Sequence, residues 1–491
     1  RDRWTILSSE IFWLGIFPCL PIKKFHSSII IYRQSDCMNN IWFFKSACNT
    51  LYLAYSNGNI FYTESMSLQS TLQERWYLYQ FSHDAIFEKL EEWGEKFYVG
   101  FDPTADSLHL GNFIGFMTAV QLMLRGNTYY ALVWGATGMI GDPGGKDTER
   151  SFLDFETLNS NVASIQTQIG TIIERLEVQT WKKLDFKIVN NLDFYEGLSY
   201  LDFLREVGKY HTVNQMIAKD TVKKRIEDPD KSISYTEFSY MLLQGFDYYY
   251  LHKNMGVNLQ MWGQDQWGNL VTGLELIRKK TDDEVYCFTW PLITDATGKK
   301  FGKSEGNALF LDRKKTTPYA IYQYFVNSHD EDVERYLKLL TLLSLDEIED
   351  ILSRHKTVPE QRYAQKKLAF EVVKIIHWQQ DAEISEKISD FLFGEGDKLE
   401  LLKWLSKEEF EIFFESIGWC RYTGQNLFGL FVESGLEASN STARQTLQNG
   451  GMFINEMQIT DGKYDFSSDF VNERFLLLRK GKKHYKIIMR S

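Results

Sequence analysis

Apolar residues along this chain recur at two periods, and their alternation lays out an α/β arrangement before any motif is considered. Asp84 to Trp93 sets Ile86, Phe87, Leu90 and Trp93 on one helical stripe, with Ser82 as the expected cap. Phe97 to Phe101 is a short apolar run between polar residues, the pattern of a buried strand. Pro103 ends it, because proline has no N–H to give the ladder. A helix is expected from near Asn112 through Phe116, Val120 and Leu124, with Gly126 as its stop. Tyr129 to Trp134 reads as a second strand, Glu156 to Leu176 as a long amphipathic helix, and Phe186 to Asn190 as a third strand. Leu201 to Ile226 mixes apolar stripes with charge, as a surface helix pair would. Thr236 opens a further helix on which Tyr240, Gln244 and Asp247 fall at i, i+4 and i+7, one face. Leu259 to Gly263 and Tyr286 to Trp290 are two more strands, and GQDQWGN between them opens another helix. The pattern turns helical and charged from 316 to about 395, and Gly394 to about Gln425 reads as a linker.

Composition narrows the picture in two respects. At 491 residues the chain holds about three domains of ~150 residues, and 44% apolar with 25% charged residues is ordinary for a soluble globular protein. The net charge of −11 excludes a uniformly basic nucleic-acid sleeve, so any RNA contact must use local basic patches. Such a patch lies at the end: Arg474 to Ser491 carries Arg474, Arg479, Lys480, Lys482, Lys483, Lys486 and Arg490 with no acid. The five cysteines form no CxxC pair and no metal spacing, which implies a reduced, intracellular protein. Ile11 to Ile22 is too short to span a bilayer and is interrupted by Pro18 and Pro21. Residues 1–65 show no sustained period, and no stable fold of their own is expected for them.

Chemistry concentrates in a few stretches. His109 and Gly111 stand where a loop meets a helix N-terminus, a position that favours phosphate. A loop histidine is usually only solvated, and His-x-Gly alone is weak. GATGMIGDPGGK lets backbone amides approach a phosphate or ribose, yet it is neither a Walker loop nor GxGxxG. A polar stripe such as Tyr240, Gln244 and Asp247 inside an apolar helix needs partners, either a buried network or a bound amino acid. Asp265 and Gln266 follow a strand at the edge where doubly wound sheets bind ligands. Lys300 and Lys303 beside Gly302 make a turn or a mobile lid.

The longer string decides between these readings. YVGFDPTADSLHLGN, Tyr98 to Asn112, with KFGKS, Lys300 to Ser304, resembles the paired signatures of bacterial-type tyrosyl-tRNA synthetases, class I enzymes. The resemblance covers roughly Met66 to the C-terminus, with Asn112 where the family has a second histidine. It implies a Rossmann-like doubly wound catalytic domain at 66–310 with a dimer-forming insertion at about 190–235. A helical anticodon-side domain at 311–395, a linker at 396–425 and a small α+β RNA-binding domain at 426–491 would follow. The implied reaction joins tyrosine to Mg-ATP, giving tyrosyl-adenylate and pyrophosphate, and passes the acyl group to tRNA(Tyr). ATP and Mg2+ would act as co-substrate with no tightly bound cofactor, in a cytoplasmic homodimer without membrane contact. Carried over residue by residue, Thr104 and His109 would stabilise the transferring phosphoryl group, with Lys146, Arg150, Lys300 and Lys303 on the pyrophosphate and Asn112 steadying substrate and nucleotide beside them. Asp102, Gly111 and Asp265 would line the nucleotide. Tyr98 and Asp247 would hold the phenol, and Asp142, Tyr240 and Gln244 the α-ammonium, with Gln260 and Gln266 nearby. Phenylalanine would leave the carboxylate unpaired and should be rejected strongly. Arg444, Arg479, Lys480, Lys482 and Lys483 are the RNA-contact candidates.

Two departures stand inside the site. Trp134 and Trp262 occupy places where the family has ligand-facing glycine. Two such changes suggest a gene that reads UGA as glycine, translated with a code that reads it as tryptophan. Since Met66 begins a stretch like the family's usual N-terminus, residues 1–65 would then be over-extended translation. The rival readings are a catalytically impaired RNA-binding paralogue, marked by Asn112 and the two tryptophans, and a tryptophan ligase. Intact His109, Lys300 and Lys303 oppose the first, and Tyr98 with Asp247 opposes the second.

Overall fold

In the computed structural model, residues 66–92, 94–141, 153–228, 232–298, 301–304, 307–394, 399–400, 413–414, 419–471, 473–481 and 484–490 are described. Within residues 1–65 the description is of backbone strands alone. Six strands form the central sheet in the order Gln80–Phe81, Tyr286–Trp290, Leu259–Gly263, Lys96–Phe101, Thr128–Val133, Phe186–Asn190. The last five run parallel, and Gln80–Phe81 closes one edge antiparallel. Chain order reverses between Lys96–Phe101 and Leu259–Gly263, so the switch point, where such sheets bind ligands, lies between those two strands.

Both faces of this sheet are covered, which is why its strands read as apolar runs. Odd-numbered residues such as Phe97, Val99, Tyr129, Ala131, Leu259 and Met261 pack with helices Leu110–Leu124 and Phe155–Thr180. Even-numbered Tyr98, Tyr130 and Leu132 pack instead with helix Tyr235–Met255. The helices Pro318–Val326, Asp330–Leu340, Leu345–Thr357, Tyr363–Ile376 and Gln379–Phe393 follow. Their core is continuous with that of the sheet, through Tyr322, Phe325, Tyr336 and Leu340. Arg75 fastens this junction: its guanidinium donates to the carbonyls of Lys338 (3.0 Å), Thr341 (3.3 Å) and Leu343. A cation there answers the negative end of helix Asp330–Leu340. Arg75→Ala should lower stability by about 2 kcal/mol, read as a lower urea midpoint at unchanged slope.

Several local expectations change. Ser82 does not cap the helix Ala85–Glu91; its hydroxyl accepts from Cys287 N–H at 3.0 Å, because the edge strand claims it. The helix after residue 233 is capped by Ser234, not opened by Thr236, in a reciprocal box with Glu237. Residues within 1–65 were expected to hold no fold, yet the backbone forms a five-stranded antiparallel sheet. Leu51–Ser56 and Asn59–Glu64 pair with Ser56 opposite Asn59, leaving Asn57-Gly58 as the intervening dipeptide, a strong two-residue hairpin signal. The C-terminal unit also begins earlier than 426. Trp419–Arg421 pairs parallel with His484–Met489, at the edge of a sheet that continues through Phe475–Lys480, Met452–Ile454 and Met457–Gln458.

Candidate active site

The loop after Lys96–Phe101 is held from outside by residues that sequence reading did not single out. Asn161 donates to Pro103 O at 3.0 Å, and Gln168 accepts from Leu108 N–H at 2.8 Å, both from helix Phe155–Thr180. His109 is the N-cap of helix Leu110–Leu124. Its Nδ1 accepts from Asn112 N–H at 3.3 Å, and Asn112 Oδ1 accepts from His109 N–H at 3.1 Å. With Nδ1 as acceptor, the proton of the neutral imidazole resides on Nε2, the tautomer that can donate to an anion. Asn112 thus acts first as the reciprocal half of a capping box. Thr104 is exposed and Asp102 half-buried on the same loop.

The second signature comes to the first. Leu110 N–H donates to Leu309 O at 2.9 Å, and Leu309 N–H to Gly302 O at 3.0 Å. Gly302, at φ +79°, sits so close that a Cβ there would lie 3.0 Å from Gly111 N and from Leu110 Cβ. Only glycine meets both demands. Lys303 lies in the short strand Lys303–Ser304, paired with Asn307–Ala308, which places its backbone beside the HLGN loop. Asp142, Lys146, Arg150, Lys300, Lys482 and Lys483 lie outside the described residues.

On the other face of the sheet a polar pocket is built into apolar surroundings. Tyr98, Tyr240, Gln244, Asp247, Gln260 and Gln266 are all at least 96% buried. Asp247 accepts from Asn191 Nδ2 and Tyr195 Oη, both at 2.9 Å. Asn191 in turn accepts from Ala136 N–H at 2.8 Å and donates to Thr137 Oγ1 at 2.9 Å, tying the Gly-rich loop to the carboxylate. Neither Asn191 nor Tyr195 was anticipated. The available signal was the polar pair Asn190-Asn191 at the C-terminal end of a parallel strand. Among the described residues, Tyr98 Oη and both side-chain polar atoms of Gln244 and Gln260 are buried without a hydrogen-bond partner. Such groups are rare and costly unless something else binds them. Gln266 is tied to Asn269 at 2.8 Å, and Asp265 is exposed after the strand Leu259–Gly263.

Burial pushes the Asp247 carboxyl up to about 8, against the pull of Asn191 and Tyr195. Burial, then the Asp247 charge, raises the Tyr98 phenol as well. Between the ordinary carboxylate value of 3.8 and about 8, the native state binds a proton that the unfolded chain has released. Stability therefore falls as pH rises through that window and levels off above it. Asp247→Asn removes the slope, so its urea midpoint should gain on the parent's from pH 5 to pH 8; parallel profiles would contradict this.

Trp134 and Trp262 lie across this crevice. Their rings stack with centroids 4.7 Å apart and planes at 11°, and Tyr240 meets Trp134 edge-on at 6.2 Å. Trp134 is 2% exposed, and its Nε1–H has no partner among the described residues.

In the C-terminal unit two RNA-contact candidates have partners within the fold. Arg479 pairs with Glu456 at 2.8 Å and stacks on Phe453, and Lys480 pairs with Glu437 at 3.0 Å. Local acids that a count over the tail leaves out neutralise both. Arg444 remains exposed on helix Asn440–Gln448.

Comparison with known proteins agrees with this geometry. Residues 94–394 match the family of class I tRNA synthetases for tryptophan and tyrosine, and residues 409–488 match a tyrosine–tRNA ligase SYY-like C-terminal domain. The chain is 42% identical over 428 residues to the tyrosine–tRNA ligase of Streptococcus gordonii, covering 86% of this chain and 100% of that one. It is 44% identical to that of Streptococcus agalactiae over 428 residues, 86% and 99% of the two. A C-terminally truncated mitochondrial tyrosyl-tRNA synthetase from Aspergillus nidulans superposes with a TM-score of 0.61 at 30% identity, over 67% of this chain and 95% of that one. The chain belongs to the tyrosine–tRNA ligases, class I tRNA synthetases that activate tyrosine with ATP and charge it onto tRNA.

Proposed function

We propose that the pocket under helix Tyr235–Met255 takes tyrosine with its phenol between Tyr98 and Asp247 and its ammonium toward Tyr240, Gln244 and Asp142. The polar atoms of Tyr98, Gln244 and Gln260 that are buried without a partner among the described residues carry this reading, since a zwitterionic phenol supplies partners for all of them. ATP then lies over Gly111 and Asp265, with its phosphates at the N-terminus of helix Leu110–Leu124. The tyrosine carboxylate attacks the α-phosphorus, and pyrophosphate departs toward Lys146, Arg150, Lys300 and Lys303. His109 Nε2–H and Thr104 stabilise charge on the transferring phosphoryl group, while Asp102 and Asn112 steady the loop. Mg2+ would come with ATP as part of the co-substrate and offset charge on its phosphates. A terminal ribose hydroxyl of tRNA(Tyr) then attacks the acyl carbon and releases AMP, with Arg444, Lys482 and Lys483 as phosphate contacts. The work belongs in the cytoplasm, where charged tRNA is consumed.

The test is Gln244→Leu, read by tyrosine-dependent ATP–pyrophosphate exchange on the Trp134→Gly/Trp262→Gly chain, because the indole pair fills the crevice. Removing an unsatisfied buried amide should raise Tm, while the KM for tyrosine rises roughly 10-fold or more and that for ATP holds. An unchanged KM for tyrosine rejects the assignment.

A second copy of the chain fits the insertion. Tyr200, Leu201, Val213 and Tyr235 are each more than half exposed there, and the Tyr200 and Tyr235 hydroxyls bond at 2.8 Å, which brings those two rings together. An apolar cluster of this kind suits an isologous dimer. Leu201→Glu with Val213→Glu should halve the sedimenting mass; a parent chain that is already monomeric removes the proposal.

A further inference from the structure

We propose that Trp76, Trp134, Trp181 and Trp262 stand where the functional chain carries glycine, and that the ligand crevice opens only with glycine at 134 and 262. Two independent kinds of observation lead there, one in the crevice and one in the backbone.

In the crevice, the two indoles come from strands on either side of Lys96–Phe101 and meet above its Gly100. Trp262 lies two residues beyond Gln260, which pairs with Tyr98, so it stands level with Gly100. Trp134 follows Val133, which pairs with Phe101. A Cβ on Gly100 would lie 2.7 Å from the Trp134 ring, so the indole occupies the space that the glycine leaves. With glycine at all three positions, three neighbouring strands at the switch point present bare backbone, a floor on which a flat ligand can lie. As written, the stacked indoles cover that floor. Among the described residues they also bury the Trp134 Nε1–H without a partner, which is costly for a structural aromatic.

In the backbone, Trp76 and Trp181 both adopt the left-handed conformation, at φ +63° and +54°. A bulky residue there is a genuine outlier, whereas glycine is at home. Trp76 closes helix Leu68–Glu74: its N–H donates to Gln73 O at 3.0 Å and Tyr77 N–H to Leu72 O at 2.8 Å. The end of helix Leu110–Leu124 repeats this pair of bonds, from Gly126 to Met123 O and from Asn127 to Leu122 O, with Gly126 at φ +87°. The end of Asn440–Gln448 repeats it again with Gly450 at φ +69°. That motif selects glycine at the position Trp76 holds. Trp181 follows helix Phe155–Thr180 with 85% of its surface exposed, so packing offers little reason for an indole. Five other described non-glycine residues take positive φ. Arg362, Asn455 and Glu456 are anchored by side-chain bonds, to Val326 O, Leu477 N–H and Arg479 respectively. Asp282 and Glu473 show that the conformation alone does not demand glycine, so the bulk of the indole and the repeated capping motif are what point to it.

One codon read two ways, UGA as tryptophan or as glycine, accounts for all four positions. Sequencing the gene should find UGA at each, and UGG at 134 or 262 overturns the proposal. The protein test uses the full chain in parallel forms. Trp134→Gly/Trp262→Gly should raise tyrosine-dependent ATP–pyrophosphate exchange by roughly 100-fold or more over the chain as written. Equal exchange in the two, silence included, overturns the site half. Trp76→Gly and Trp181→Gly should each raise Tm by about 1–3 °C, with the matching alanine variants below them. Glycine variants that melt below the parent overturn the backbone half. The inference rests on the crevice being the tyrosine site; an error in the Tyr98 and Asp247 assignment would leave the glycine gain intact and appear instead as unchanged selectivity in Asp247→Asn.

Discussion

Asp247→Asn, placed in the Trp134→Gly/Trp262→Gly chain, should make phenylalanine a competing substrate. The two carboxylate oxygens are already committed on one side, to Asn191 Nδ2 and Tyr195 Oη, both donors. Their remaining lone pairs and Tyr98 Oη are what a phenol can meet. Phenylalanine fills the same volume but leaves those atoms buried and unsatisfied, at about 1–3 kcal/mol for each. An asparagine keeps one oxygen for Asn191 Nδ2 and turns its N–H2 toward Tyr195 Oη, which can accept because its own proton reaches Leu243 O at 3.0 Å. The ligand side then loses the second carboxyl oxygen as an acceptor for the phenol proton, so the cost that excluded phenylalanine is no longer imposed on it alone. The ratio of kcat/KM for tyrosine over phenylalanine should fall by roughly 100-fold, mostly through loss on tyrosine. A preserved ratio would mean that the phenol is read elsewhere.

The same residues show how far the sequence could be read. Alternation gave three of the central strands their observed bounds, Phe186–Asn190, Leu259–Gly263 and Tyr286–Trp290, because a sheet covered on both faces leaves apolar runs with sharp polar ends. The i, i+4, i+7 face of Tyr240, Gln244 and Asp247 was legible too, since helical spacing alone puts them together. Asn191 and Tyr195 were not: they reach Asp247 across 56 and 52 residues, a distance no local period encodes. Asn161 and Gln168 escaped for the same reason, since a polar residue on an amphipathic helix looks solvated until the loop it supports is seen. The tail's basic count also leaves out the acids that fold against it. Arg479 and Lys480 are basic in sequence but are neutralised by Glu456 and Glu437, which lie outside the window in which the bases were counted. The pairing of Leu51–Ser56 with Asn59–Glu64 had a legible signal in the Asn-Gly dipeptide that the sequence sets between the two strands.

His109→Ala should separate two duties that one side chain performs. As N-cap, His109 accepts the Asn112 N–H through Nδ1 and offers its own N–H to Asn112 Oδ1, so alanine should cost about 1 kcal/mol of stability. The ring's other nitrogen is the donor assigned to charge that develops on the transferring phosphoryl group. Losing one such preorganised donor costs about 10²–10³-fold in kcat. His109→Asn tells the two apart, because asparagine is itself a good N-cap but its short amide cannot both cap the helix and reach the phosphate. Tm should recover with asparagine while kcat for exchange stays down, and the KM for tyrosine should hardly move in either variant. Recovery of kcat together with Tm would make His109 a structural cap and return the catalytic charge to the lysines of the facing loop. Gly111 sharpens the point: a Cβ there would lie 2.9 Å from His109 Cε1. Gly111→Ala should therefore tilt the ring away and lower kcat with the imidazole still present, which a purely electrostatic role for the lysines would not allow.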